Sequence, residues 1–314
     1  MSNFEDCIIS NYENYDHSQF RVQFSNQKVF ICGGPVPNDA IMASFRQRFV
    51  LKLSNENINF VLAENFKDYF KYNNYPDLFI FEDDIAKISS IILVFLESPG
   101  SLVEFGMFIT NPDFCKKLLI VVPSQEIMEQ SSFIYLGPLE YIKRKHPESF
   151  FACPWPEKND PNYNKEHIRD LINSLSDKIS TQAKTQKFSK ENLAHISFLI
   201  AEIIRLSYPI ILDEIQYALM ALNIEIKDSL VSRCLYLLKS LDYIDTYEYS
   251  SYKYYYPRKE YKKAQFISWG TGKNGRCFDE SQFLIKLRSS YLSDTSSSSC
   301  KRQSALKQIS NFLE

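Results

Sequence analysis

Glycine is scarce, 8 residues in 314, and that poverty argues against collagen-like, glycine-linker and other low-complexity classes. No CxxC pair is present either. The seven cysteines (Cys7, Cys32, Cys115, Cys153, Cys234, Cys277 and Cys300) are scattered and odd in number, which speaks against a disulfide framework and is expected of a reducing compartment. The N-terminus MSNFEDCIIS lacks the basic and then apolar pattern of a secretory signal, so the expected location is the cytoplasm. The four histidines, His17, His146, His167 and His195, show no HxxxH or HxxE spacing, so no metal site is expected. No apolar run reaches the ~18–20 residues that cross a bilayer. Even the run beginning SSIILVFL is stopped by Glu97.

Large hydrophobic side chains, by contrast, are abundant. Hydrophobic residues make up 45% of the chain, with 24 Phe and 20 Tyr, enough for well-filled cores. The length exceeds the roughly 100–200 residues of one core, so two domains are expected. The net charge of −2 hides an asymmetry. From Lys187 onward there are 18 Lys and Arg against 14 Asp and Glu, and before it 18 against 24. The mildly basic second half permits a nucleic-acid contact without requiring one.

Four β-branched and aromatic runs, at 28–34, 58–64, 90–97 and 117–124, alternate with helical spacing at 37–55, 83–90 and 101–109. A fifth strand is predicted at 149–155. Alternation of this kind predicts βαβ units and a parallel sheet buried on both faces, an α/β fold. The Pro- and Asn-rich stretch 154–164 marks a boundary, and 166–186 reads as a polar connecting helix. Three stretches of helical periodicity follow (192–208, 212–223 and 227–244), and then a Tyr-alternating hairpin at 246–259 turning at Ser250-Ser251. That is the element order of a winged helix. The Ser-rich tail at 293–304 predicts disorder, with a short helix at its end. The domain plan is therefore an N-terminal extension 1–27, an α/β domain 28–160, a connecting helix 161–187, a smaller winged-helix-like α+β domain 188–290 and a tail 291–314.

Ligands of parallel sheets collect at the carboxyl ends of strands. Here those are the loops 32–38, 63–66 and 97–101, which make Gly33, Gly34, Asn38, Glu64, Glu97, Ser98 and Ser101 candidate substrate contacts. The segment ESPGSLVEFG at 97–106 combines a strand end, a Pro-Gly turn, a helix start at Ser101 and Glu104 in the first helical turn. Ser101 with Glu104 also fits a capping box, which is the structural alternative. A carboxylate there could attack an anomeric carbon, expel a base through an oxocarbenium-like state and leave an ester to be resolved. Glu64, Glu82 and Glu97 could hold ribose hydroxyls or move protons, or be solvated charges. Asp83 and Asp84 read as a helix N-terminus.

Several motifs weigh against other classes. CGGPVPN is not GxGxxG, and no acidic residue is seen to end the following strand in the dinucleotide-binding manner, which disfavours a dehydrogenase. Gly33 and Gly34 fit either close backbone approach to a ribose or phosphate or a simple tight turn. Cys32 fits a buried small hydrophobe better than a nucleophile. In the second half, Lys253, Arg258, Lys259, Lys262 and Lys263 interleave with Tyr252, Tyr254, Tyr255, Tyr256 and Tyr261. Such cations can meet phosphates and such rings can stack on unpaired bases, while a Tyr-rich hairpin with solvated lysines fits nearly as well.

Together, FICGGPVPN, LAENF, FEDDIAKISSIILVF and ESPGSLVEFG resemble the nucleoside deoxyribosyltransferase-like effectors encoded beside bacterial retrons. The resemblance covers roughly 28–145 in motif detail. It implies a flavodoxin-like parallel sheet, Glu104 as nucleophile and Glu82 as a contact to base or ribose. Six residues before the nucleophile the transferases carry aspartate where this chain has Ser98, a departure that shifts the expected substrate from deoxynucleosides to NAD. NAD is then a substrate, and no cofactor is expected. Nicotinamide leaves a cationic N-glycoside as a neutral base and needs no protonation. By resemblance, a retron reverse transcriptase and its RNA–DNA product are the expected partners, and a homo-oligomer or filamentous complex the expected assembly. Two other readings stand beside this one: a nucleoside deoxyribosyltransferase or nucleotide N-glycosidase, and a non-catalytic nucleic-acid-binding regulator.

Overall fold

The computed structural model describes residues 3–24, 27–34, 44–54, 56, 58–66, 75–124, 132–155 and 165–314. The chain divides into two compact units, one formed by residues 26–69 and 77–182 and the other by residues 1–25, 70–76 and 183–314.

Elements of the first unit are numbered within it. Strands β1 (Lys28–Cys32), β2 (Asn59–Leu62), β3 (Ile91–Phe95), β4 (Leu118–Pro123) and β5 (Phe150–Cys153) form one sheet, in the order β2-β1-β3-β4-β5. Every pairing is parallel, and the order is that of the flavodoxin-like doubly wound fold. All residues of β3 and β4 are buried, as their unbroken apolar runs require of strands covered on both faces. Alternate strand residues face opposite ways. Val29, Ile31, Ile91, Leu93, Phe95, Leu119 and Val121 meet α1 (Phe45–Leu53) and α4 (Lys165–Thr181) on one face. The opposite set, which includes Phe30, turns to the other face, where α2 (Leu78–Ile88) and α3 (Pro99–Ile109) fill two of the crossovers.

Two helices depart from expectation. α2 begins at Leu78 behind the cap Asp77, whose side chain accepts from the Ile80 N–H. Asp83 and Asp84 therefore sit inside the helix, both paired with Lys87, and not at its N-terminus. The helix at 165–181 is more than a connector. Its Ile168, Leu171, Ile172 and Leu175 recur at three- and four-residue spacing and pack on the sheet, so the polar residues mark only its solvent face. The first part of the helix expected at 37–55 lies outside the described residues.

In the second unit, helices Leu193–Ser207, Leu212–Ala221 and Asp228–Ser240 precede an antiparallel hairpin of Ile244–Tyr249 and Tyr252–Pro257. Ser250 and Ser251 turn it with φ of 50° and 69°, the left-handed pair that a two-residue hairpin loop requires. Ile210 bridges Tyr255 in antiparallel sense, which completes the winged-helix arrangement. At its centre, Glu202 accepts from Arg205, the Phe266 N–H and the Trp269 indole. Arg205 in turn pairs with Glu280.

The chain's two ends are built into this unit. Phe4, Ile8 and Tyr12 of the helix Asn3–Tyr12 are buried, and Arg21–Gln23 pairs with Thr185–Lys187 and Ile267–Ser268. The Ser-rich tail is helical over Ser297–Phe312, contrary to the expected disorder. Its serines act as caps, with the Ser296 hydroxyl accepting from the Ser299 N–H. Ala305, Ile309 and Leu313 pack against Tyr208, Tyr254 and Tyr256, and Arg302 forms a buried pair with Glu214. Composition registers the serines but not the apolar stripe that gives the segment a face to bury.

Candidate active site

The approach of Cys32 to Glu104 follows from two periodicities. Phe30 and Cys32 lie two apart on β1 and share a face of the sheet. Glu104 and Phe108 lie four apart on α3 and share a stripe of the helix. The rings of Phe30 and Phe108 meet edge to face at 6.3 Å. One step along each element, Cys32 and Glu104 come close enough for each to perturb the other's charge. The pair thus lies at the carboxyl ends of β1 and β3, where the strand order reverses.

α3 begins at Pro99, not Ser101. Ser98 is its cap and Ser101 its third residue, and each side chain hydrogen-bonds the other's backbone, at 3.1 Å in both directions. Pro at the first helical position suits this start. Glu104 consequently lies in the second turn and takes no part in capping, so the structural alternative for it is removed. Its Oε2 is buried and, among the described residues, has no hydrogen-bond partner. An unmatched buried carboxylate oxygen is costly, and in native proteins such groups tend to mark sites of function. Burial, reinforced by Glu64, holds the Glu104 carboxyl above the usual carboxylate range, while Arg46 and the Cys32 thiol pull it back down. Cys32, fully buried and surrounded by these acids, stays protonated.

Glu97 is fully engaged with backbone. Its Oε1 accepts from the Gly34 and Arg46 N–H groups at 3.1 and 3.2 Å, and its Oε2 from the Phe45 N–H at 3.0 Å. It therefore caps α1 and pins the loop after β1. This also explains the glycines. A Cβ on Gly33 would lie 2.7 Å from Arg46 Cδ and 2.9 Å from Phe95 Cβ, and one on Gly34 would lie 2.9 Å from Glu97 Cγ. The close approach that requires glycine is to the protein's own side chains.

Arg46 is the residue that sequence reasoning missed. Its side chain is 2% exposed and its guanidinium forks onto Glu64, with both contacts at 2.5 Å. It also donates to the carbonyls of Ile31 at 3.2 Å and Gly34 at 2.8 Å. The available signal was charge balance: four acids predicted for one strand edge need a cation, and Arg46 lies on the apolar stripe of Phe45 and Phe49. Glu64 sits two residues beyond β2. An acidic residue does therefore end the strand that follows the glycines, which corrects the sequence expectation.

Glu82, on α2, is buried. Burial, then Glu104 and then Glu64 push its carboxyl up to about 7. Glu64, Glu82 and Glu104 thus form a mutually repelling group beside Cys32, offset by Arg46. The arrangement favours a ligand that is, or becomes, cationic, and it opposes an anion at the same spot. Asn38 lies outside the described residues.

The predicted cations of the hairpin region are not equivalent. Lys253 and Lys263 are exposed, and Lys253 Nζ lies 5.8 Å from the Tyr255 ring. Arg258 is paired with Asp242 and Asp245, and Lys259 donates to the Glu314 carbonyl. Tyr254, Tyr256 and Tyr261 are buried in the core, which leaves Tyr252 as an exposed ring.

The family model described as STM3845 retron effector protein matches residues 42–246, a span that includes all four acids. Among curated proteins, one from retron Ec86 of Escherichia coli is 28% identical over 192 residues, covering 60% of this chain and 61% of its own length. Another, from retron Ec73 of Escherichia coli, is 27% identical over 178 residues, covering 52% of this chain and 54% of its own. Both are named as candidate ribosyltransferase/DNA-binding proteins. The chain spans less than two thirds of the length of either relative.

Proposed function

The chain belongs to the STM3845 retron effector family, and on that premise we propose that it is an anti-phage defence effector that cleaves the N-glycosidic bond of NAD. The observation that carries this reading is the buried Oε2 of Glu104, without a hydrogen-bond partner among the described residues, at the end of the central strands and next to two further acids. In the proposed reaction a Glu104 oxygen bonds to C1′ of the nicotinamide ribose. The C1′–N bond breaks with its electron pair moving onto the pyridinium nitrogen, so nicotinamide leaves neutral. Water then attacks C1′ of the ester, Glu104 returns as carboxylate, and ADP-ribose and one proton are released. The ionised Glu82 can take that proton. The negative group of acids attracts the pyridinium and the oxocarbenium-like state.

The names of the relatives support glycosyl transfer chemistry and nucleic-acid binding. A reverse transcriptase with its RNA–DNA product would restrain the enzyme, in a homo-oligomeric or filamentous complex, since free NAD hydrolysis would harm the host cell.

A second reading has its own observation. Glu82, with a carboxyl that titrates at about 7, could protonate a neutral leaving base, as a deoxyribosyltransferase or nucleotide N-glycosidase acting on ordinary nucleosides or nucleotides requires. Incubating the protein, alone and with its partners, with NAD and with deoxynucleosides separates the two by chromatography of the released base. Nicotinamide release alone supports the first reading. Release of adenine, thymine or another nucleobase alone supports the second. If no base is released while nucleotide binds tightly, a non-catalytic regulator is favoured over both.

A further inference from the structure

We propose that Glu64, held in place by Arg46, accepts the hydroxyls of the substrate's ribose and makes the site selective for ribosides over 2′-deoxyribosides. The inference rests on the glycosidase reading and names the sugar that the reading leaves open.

Glu64 follows β2, the neighbour of β1, and the loop of Gly33 and Gly34 follows β1. In doubly wound folds an acidic side chain at the end of the strand beside the glycine loop takes a ribose hydroxyl. Its orientation is fixed as well as its position. The Arg46 fork occupies one lone pair on each Glu64 oxygen, and the fork itself is fixed by the carbonyls of Ile31 and Gly34. Glu64 therefore cannot swing away. Its side chain nevertheless stays 41% exposed, against 2% for Arg46, so among the described residues it remains open to a ligand. A carboxylate paired with arginine is acceptor-only and fits a pair of hydroxyl donors. Because β2 neighbours β1 and β1 neighbours β3, the residues that follow β2 share one sheet edge with those that lead into α3, so the sugar that Glu64 would hold is the one whose C1′ faces Glu104. Arg46 is then a positioning residue, acting through Glu64.

The test is a cycle between enzyme and substrate. Values of kcat/KM are measured for NAD and for its analogue lacking the 2′-hydroxyl on the nicotinamide ribose, with wild-type, Glu64→Gln and Glu64→Ala protein. Loss of a hydrogen bond to a charged acceptor predicts that wild type favours NAD by about 10- to 100-fold. The Ala variant should lose a similar factor on NAD and little on the analogue, bringing the ratio to within about threefold of unity. Because a bare, buried Arg46 endangers the fold of the unit, the paired Arg46→Met/Glu64→Met variant, which buries no lone charge, gives the same ratio by an independent route. Equal use of both dinucleotides by wild type, or an unchanged ratio in the variants, overturns the inference and leaves the glycosidase reading intact. Binding of both dinucleotides to Glu104→Gln protein by calorimetry separates the two claims. A ribose preference in binding with no turnover by wild type supports Glu64 while the glycosidase reading falls.

Discussion

Glu97 and Glu104 lie seven residues apart in one motif, yet the structure predicts opposite effects on stability when each is changed to glutamine. Glu97 accepts three backbone N–H groups at 3.0–3.2 Å. Hydrogen bonds to a charged acceptor contribute about 1.5–3 kcal/mol each. Glutamine keeps one acceptor oxygen and turns an NH2 against an N–H, so one bond is lost and a donor is left facing a donor. Glu97→Gln should cost about 2–4 kcal/mol, including the lost charge at the start of α1. Glu104 Oε2 has no partner among the described residues and is repelled by Glu64. Removing its charge should stabilise by about 0.5–2 kcal/mol, as neutralising a strained catalytic group commonly does. Urea unfolding followed by pulsed hydrogen exchange on peptides covering 45–53 and 91–109 confines the measurement to the α/β unit. With a slope of about 1–3 kcal/mol/M, Glu97→Gln should lower the midpoint by roughly 1 M or more and Glu104→Gln should raise it slightly. A loss of stability in Glu104→Gln as large as that in Glu97→Gln would refute the division into a structural and a reactive carboxylate.

Other carboxylates and cations carry predictions of their own. Glu82 titrates at about 7 in the folded chain against 4.5 in the reference state, so the folded state holds the extra proton between those values. Stability contributed by that proton is full below about 4.5 and is lost as pH rises through 7, by an amount on the order of 3 kcal/mol; Glu82→Gln should flatten the decline. In a pH–rate series, NAD cleavage should not fall as Glu82 loses its proton above 7, whereas cleavage that needs a general acid should. In the second unit, Glu202→Ala removes one of the two carboxylates on buried Arg205, leaving Glu280, and the acceptor of the Trp269 indole; it should cost about 2–4 kcal/mol, read as a lower thermal midpoint. If the hairpin region meets nucleic acid, charge reversal at exposed Lys253 and Lys263 should weaken binding and reduce its salt slope by about 0.9 for each phosphate no longer neutralised, by fluorescence anisotropy. Arg258→Ala should act chiefly on stability through Asp242 and Asp245.

The sheet was legible because β3 and β4 are continuous apolar runs that only a doubly covered parallel strand can use. The winged-helix order was legible because three helical periods precede a Tyr-alternating hairpin. Glu104 stands out as the acid on the helix that follows the strand-end loop, but its second-turn position does not, because Ser98 and Ser101 are equally good caps on paper and only backbone geometry chooses Ser98. Glu97, Gly33 and Gly34 read as ligand contacts, since local sequence cannot show that all three serve one another. Arg46 was hidden for a related reason. A buried arginine is intelligible only once its partner is known, and Glu64 comes from a different strand. The tail helix was masked by its serines, whose capping role depends on register.

The central claim is that a Glu104 oxygen becomes covalently bonded to C1′ of the NAD ribose. Acid quenching of the protein during NAD turnover, followed by peptide mass spectrometry, should reveal an ADP-ribosyl ester on the peptide containing Glu104, absent from Glu104→Gln protein, which should also release no nicotinamide. Nicotinamide released by Glu104→Gln at the wild-type rate would contradict the account.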